Sequence, residues 1–334
     1  MKFNKKGDVG VQFNWMYVLL AGGIILLFFG SLVLRQKASA DTSIAVDTLS
    51  HIDSILTGAK VTKDTVNEVQ FGKNTMELDC NSYSIGNVKK NLLQNVVFGP
   101  SSVKGQNMLT WSVGWYVPYR LMNFLIVTSA EIRYVFVYND AGDSLMNAVD
   151  ALIPEKLPRE KVKLSEINSL INKNNYKVRF VLFGVNNFEN PPAFANADVS
   201  AVSISPSLPP KIDVGNLIFF TKEGNGFSTA NTSYVSAGAL LAGIFSEDIA
   251  DYACSMGKAL KHASFIHGIN KERLEVIKAD NPQLPQTCKD IIDNSTVQLG
   301  ILSTSMNNIQ LYGASLALEQ KNKEAIRASC PIIY

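Results

Sequence analysis

Residues 15–34 read WMYVLLAGGIILLFFGSLVL, twenty positions without a charge. A helix of that length rises about 30 Å, the thickness of a bilayer's hydrocarbon core, so the run predicts one transmembrane helix with lipid as its partner. A helix buried in a soluble core is normally shorter and amphipathic. Trp15 and Tyr17 stand at one end, where amphipathic rings favour the headgroup layer, and Arg35 and Lys37 close the other just past Leu34. Lys2, Lys5 and Lys6 before the run face only Arg35 and Lys37 after it, which predicts a cytoplasmic N-terminus and an extracytoplasmic remainder. Ala38-Ser39-Ala40 is a small-residue cleavage pattern, but twenty apolar residues exceed the roughly 7–15 of a signal-peptide core, so retention of the anchor is expected.

The rest of the chain is built to fold. Its 334 residues suffice for one large or two modest domains, and 46% apolar residues exclude a disordered chain. A net charge of +2 lacks the basic excess of a dedicated nucleic-acid binder. Cys80, Cys254, Cys288 and Cys330 all follow the apolar run, and none forms a Cys-x-x-Cys pair of zinc spacing, so two disulfides in an oxidising compartment are expected. Asn231-Thr232-Ser233 and Asn294-Ser295-Thr296 are acceptor triplets for N-glycosylation.

Periodicity divides the chain into a cytoplasmic tail (1–12), a transmembrane helix (13–34), a helical stalk (35–60), a mixed head (61–235) and a helical hairpin (236–334). In the stalk, Ala45, Leu49, Ile52 and Leu56 form one helical stripe that runs toward a stop at Gly58. Met76, Leu78 and Cys80 then alternate with polar residues, and residues 96–98 and 108–117 are β-branched and aromatic, which predicts a small antiparallel sheet. Trp111 and Trp115 lie on one face of that sheet, where packing is the expected role. IRYVFVY (132–138) and YKVRFVLF (176–183), with 199–204 and 217–220, are buried-strand candidates, and helices are expected at 145–152 and 165–171. That alternation predicts an α/β unit over 130–222 with a mixed sheet and helices on its faces. Ile249, Tyr252, Met256, Ala259, Ala263 and Ile266 make one helical seam, starting at Ser246-Glu247-Asp248. Leu299, Leu302, Met306, Ile309, Gly313 and Leu316 make a second, starting at Thr287-Cys288-Lys289-Asp290, and residues 280–285 connect the two into an antiparallel hairpin. In such a hairpin Cys254 reaches Cys330 more easily than Cys288, leaving Cys80 for Cys288. The fold class expected is a mixed α+β and α/β protein.

Candidate chemistry is sparse. The loop carrying Asp140, Asp143 and Ser144 follows a strand and opens a helix, where open α/β sheets bind ligands, and its oxygens suit a cation; a plain capped turn is the simpler expectation. No phosphate loop, dinucleotide fingerprint or Gly-x-Ser-x-Gly elbow occurs. His262 and His267 are five apart, not the four that would join them on one helix face, and His51 sits alone on the stalk. No catalytic residue, metal site or cofactor is therefore expected.

The start Lys5-Lys6-Gly7-Asp8, with Val11-Gln12-Phe13-Asn14-Trp15 and the apolar helix, resembles a set of uncharacterised archaeal single-pass membrane proteins. Trp111-Ser112-Val113-Gly114-Trp115-Tyr116-Val117-Pro118 and Phe245-Ser246-Glu247-Asp248 extend the resemblance along the chain, and it implies an archaeal surface protein without a known activity. Lys6-Gly7 ahead of a hydrophobic helix is also similar to the processing site of type IV pilin precursors, although Asp8 to Asn14 is mixed and lacks the Glu of that family. The expected function is a membrane-anchored binding or scaffolding protein of the cell envelope, working with an envelope protein or by self-association. A pilin-like filament subunit and a membrane-tethered hydrolase using the α/β unit are the alternatives.

Overall fold

The computed structural model describes residues 9–334 apart from 60, 61, 63, 71–73, 93, 94, 209, 210, 225 and 305–307. The lysines of the expected tail, the Lys5-Lys6-Gly7-Asp8 motif and Met306 of the second helical seam lie outside the described residues. The class is mixed α and β, as the patterning predicts.

A single helix, α1 (Val9–Ala59), carries both the apolar run and the stalk. No proline interrupts it, and at about 1.5 Å per residue it is roughly 75 Å long. Within it, Trp15–Lys37 has a mean hydropathy of 2.5 and none of it is buried in the protein, so it is long and apolar enough to cross a membrane. Ala38-Ser39-Ala40 continues the same helix. Farther on, Leu49, Ile52 and Leu56 bury their side chains in the head, as the stripe predicts, while the Ala45 side chain lies outside the described ones. Beside them Asp53 accepts hydrogen bonds from the Tyr83 hydroxyl and the Lys90 ammonium, which fixes the rotation of the stalk's end.

Among the described residues the head holds three sheets where the sequence pattern resolves one small sheet and one α/β unit. The first is antiparallel, in the order β4 (Val88–Asn91), β3 (Ser82–Ile85), β2 (Thr75–Leu78) and β6 (Ser102–Lys104). The second runs β1 (Val66–Gln70), β7 (Asn107–Tyr116), β8 (Arg120–Ser129), β5 (Val97–Phe98). The third begins with the parallel strands β10 (Arg159–Lys163), β9 (Ile132–Tyr138), β11 (Lys177–Phe183) and β12 (Val199–Leu208). It ends with β13 (Lys211–Glu223) and β14 (Gly226–Val235), which are antiparallel.

Side-chain alternation along β8 shows how the sheets stack. Leu125 and Val127 join Leu49, Met76 and Tyr83 in the core that seats the stalk, whereas Phe124 and Ile126 face the opposite way, into the main core. That main core also takes Trp111, Trp115, one face of the third sheet, α2 (Asp143–Asp150) and the apolar α3 (Ala237–Phe245). Contrary to expectation, helices do not flank the third sheet on both faces. Its outer face is covered by loops that place Phe188 and Phe194 against Phe180. The helix expected at 165–171 is a 3₁₀ segment, Leu164–Ser169.

At the C-terminal end α4 (Ile249–Asp280) and α5 (Gln286–Thr304) form the expected antiparallel hairpin, but the second seam is divided between α5 and α6 (Asn308–Arg327). Ser303 and Thr304 both turn their hydroxyls onto the Gly300 carbonyl, local bonding that competes with helix continuation. With α6 folded back along α5, Cys330 returns to the first turn of α5 and pairs with Cys288; Cys80 pairs with Cys254. The expected Cys254–Cys330 and Cys80–Cys288 pairings thus give way, because a third antiparallel helix reverses the end at which Cys330 emerges.

Candidate functional site

The β9–α2 loop stands at the carboxyl end of the parallel strands, as expected, but it is closed by its backbone. Asn139 accepts from the Gly142 amide (2.8 Å) and donates to the Gly184 carbonyl (2.7 Å), locking two neighbouring loops together. A Cβ at Gly142 would stand 2.1 Å from the Phe183 carbonyl oxygen, so only glycine permits this approach. Asp140, Asp143 and Ser144 all face solvent. Asp140 is 4.0 Å from Lys163, and Asp143 accepts from Asn147 at 3.3 Å. No group of three or more metal-ligating His, Cys, Asp or Glu residues occurs among the described residues. Gly142 rather than an aspartate precedes the helix as N-cap.

Beside the stalk lies a cleft of about 730 Å³ between α1 and β1, lined in part by Asp47, His51, Ser54, Asn67 and Glu68. His51 is 3.8 Å from Asp47 there, and both side chains are exposed. His262 is exposed, whereas His267 is fully buried. Its Nδ1 lies 2.7 Å from the Tyr119 hydroxyl, which also accepts from Asn270 Nδ2 (2.8 Å), and burial pushes the imidazole pKa down to about 4.

An internal polar constellation lies at the C-terminal end of α3, between β11 and the loop before β6. Glu247 accepts from the Ser101 amide (2.9 Å) and hydroxyl (2.6 Å) and from the Lys177 ammonium. Burial alone would raise its pKa; Lys177 and Ser101 outweigh that and hold the carboxyl below the usual carboxylate range. Arg179 donates to the carbonyls of Gly243, Ile244 and Glu247, closing the C-terminal end of α3 with a cation where the helix dipole favours one. Burial lowers the guanidinium pKa to about 10, so it stays charged at neutral pH. Asp248, not Ser246, caps α4 by accepting from the Asp251 amide (2.9 Å), and this turns Glu247 inward.

The two internal motifs of the resemblance meet here: Trp111 of β7 packs edge-on against Phe245 at 6.1 Å. Next to them, α3 approaches β7 so closely that a Cβ on Gly238 would stand 2.7 Å from the Gly114 carbonyl. Asp251, nearby, has its pKa pushed up to about 6 by burial and by Asp248, Glu247 and Asp79. Through these bonds Glu247 and Arg179 tie β11 to the end of α3 and to the Ser101 loop. The sequence did carry a sign of it, since Arg179 stands between Val178 and Phe180 in an apolar run. Ser101 and Lys177 carried none.

Asn231 is exposed on β14, while Asn294 lies on α5 with its Nδ2 donated to the Asp290 carbonyl (2.8 Å). No protein-family model matches the chain, and no curated protein or solved structure matches it.

Proposed function

We propose that the chain is a membrane-anchored extracytoplasmic binding or scaffolding protein of the cell envelope, with its N-terminus in the cytoplasm and its partner an envelope protein or a second copy of itself. The observation that carries this reading is α1: a 23-residue apolar span with none of it buried in the protein, continuous with a stalk whose last turns are embedded in the head. Burying such a span in lipid gains roughly 25 cal/mol per Å² of apolar surface, far more than thermal energy can oppose. The two disulfides support an oxidising compartment. Asp140 and Asp143 are exposed on the β9–α2 loop, each with its own partner, Lys163 and Asn147.

The test is alkaline carbonate extraction of membranes together with protease added to intact cells. Retention in the pellet and digestion of the head from outside are expected; release of the chain by carbonate, or a head protected from the protease, would refute the reading. Copurification from detergent then identifies the partner. A pilin-like filament subunit is a second reading, favoured by the order of one long helix followed by a β-rich head. The mature N-terminus discriminates: Asp8 supports the filament, Met1 the anchor and Asp41 a secreted form.

A further inference from the structure

We propose that Asn231 is N-glycosylated and that its glycan covers the free edge of the six-stranded sheet, while the second acceptor triplet, at Asn294, stays unmodified. The proposal rests on the extracytoplasmic reading above. An acceptor triplet is read through two groups at once, the Asn carboxamide and the hydroxyl two residues on. In a strand, residues i and i+2 project from one face, so β14 presents Asn231 and Ser233 side by side. Asn231 is exposed, and Ser233 beside it is half-buried. In a helix the same separation is a turn of about 200°, so α5 sends Asn294 and Thr296 to opposite sides. The Asn294 amide is also already committed to Asp290.

The placement gives the glycan a physical task. Among the described residues β14 is the outermost strand of its sheet, ten residues long, and pairs with β13 alone. Exposed edges of this kind recruit further strands unless charge, proline or bulk blocks them. The opposite edge, β10, carries Arg159, Lys161 and Lys163, and the small sheet's edge strand β4 carries Lys89 and Lys90. β14, GFSTANTSYV, has no charge at all. Its last residues, Tyr234 and Val235, are buried in the main core, and Asn231 stands among the exposed positions before them, with Gly226 and Thr229.

The reaction transfers an oligosaccharide from a polyprenyl-phosphate-linked donor. Asn231 Nδ2 forms a bond to the anomeric carbon as the bond from that carbon to the phosphate oxygen breaks. The lipid phosphate leaves, the amide gives up one proton, and nothing is oxidised or reduced.

The test uses the full-length chain purified from its native membranes, with thiols alkylated before lysis and peptides read by mass spectrometry. The expected result is a sugar mass on the Asn231 peptide alone. Asn231→Gln and, independently, Ser233→Ala should lose that whole mass, Asn294→Gln should lose none, and the glycan-free variants should self-associate more in sedimentation. An unmodified Asn231 in a chain whose four cysteines are all bridged would overturn the proposal while leaving the compartment intact, and so would a sugar on Asn294. Four free thiols would overturn the compartment and the proposal together.

Discussion

Replacing Cys80 and Cys254 together by alanine removes a crosslink that closes a loop of 174 residues; the same double replacement at Cys288 and Cys330 opens a loop of 42. Chain-entropy scaling, which grows with the logarithm of loop length, puts the first at about 5 kcal/mol and the second at about 4 kcal/mol at 25 °C. The loops do not overlap in sequence, so the two losses should add. The difference has a structural consequence, because Cys80 belongs to the small sheet that seats the stalk and Cys254 to α4. Losing that bridge loosens the anchor-bearing lobe, whereas losing the other loosens only the end of the α5–α6 pair. Urea unfolding of the full-length chain in detergent micelles reports both through Trp111 and Trp115, which are 2% and 1% exposed. The Cys80/Cys254 variant should unfold at the lower urea concentration and should be the one whose stalk is cut first by protease. If its stability loss were smaller than that of the Cys288/Cys330 variant, or below about 1 kcal/mol, chain entropy would not be what these bridges supply.

Asp251→Asn should stabilise the protein at pH 8 and leave it unchanged near pH 3.5. A carboxyl whose folded pKa is raised from 3.8 to about 6 contributes stability below 3.8 that is lost as pH rises through 6. That displacement corresponds to ~3 kcal/mol, discounted for solvent access to about 1–2 kcal/mol, and equal effects at both pH values in urea melts would refute the assignment. Glu247→Ala should cost about 3–5 kcal/mol by leaving Lys177 buried without its main partner. Removing Glu319 from its exposed pair with Lys323 should cost little, and calorimetry of the two variants gives the contrast. Gly142→Ala should destabilise by about 2–3 kcal/mol, since its Cβ meets the Phe183 carbonyl, whereas Asp140→Ala should not change the thermal midpoint; a sensitive Asp140 would revive the loop as a ligand site.

Much of the outline was legible from local pattern. The stalk stripe at Leu49, Ile52 and Leu56 and the α4 seam each express a helical period, and IRYVFVY and YKVRFVLF are apolar runs of strand length. β1, β4, β10 and β14 were not legible, because VNEVQ, VKKN, REKVK and the stretch GFSTANTS of β14 are largely polar edge segments whose extended form comes from hydrogen bonding to a neighbour more than from burial. The break in the second seam was missed for a related reason. Its apolar spacing persists across the turn, so periodicity alone cannot tell one long helix from two antiparallel ones.

By itself, then, the sequence determined an apolar helix fit to cross a bilayer, a folded mixed head and four cysteines placed to bridge, since these depend on composition and on neighbours along the chain. Tertiary structure alone decided which cysteines meet, that Glu247 and Arg179 turn inward, and that the Asp140 loop closes on Phe183. Each of these depends on residues distant in sequence being brought within a few ångströms, by the return of α6 along α5, by the pairing of β9 with β11 and by the seating of α3 against β11.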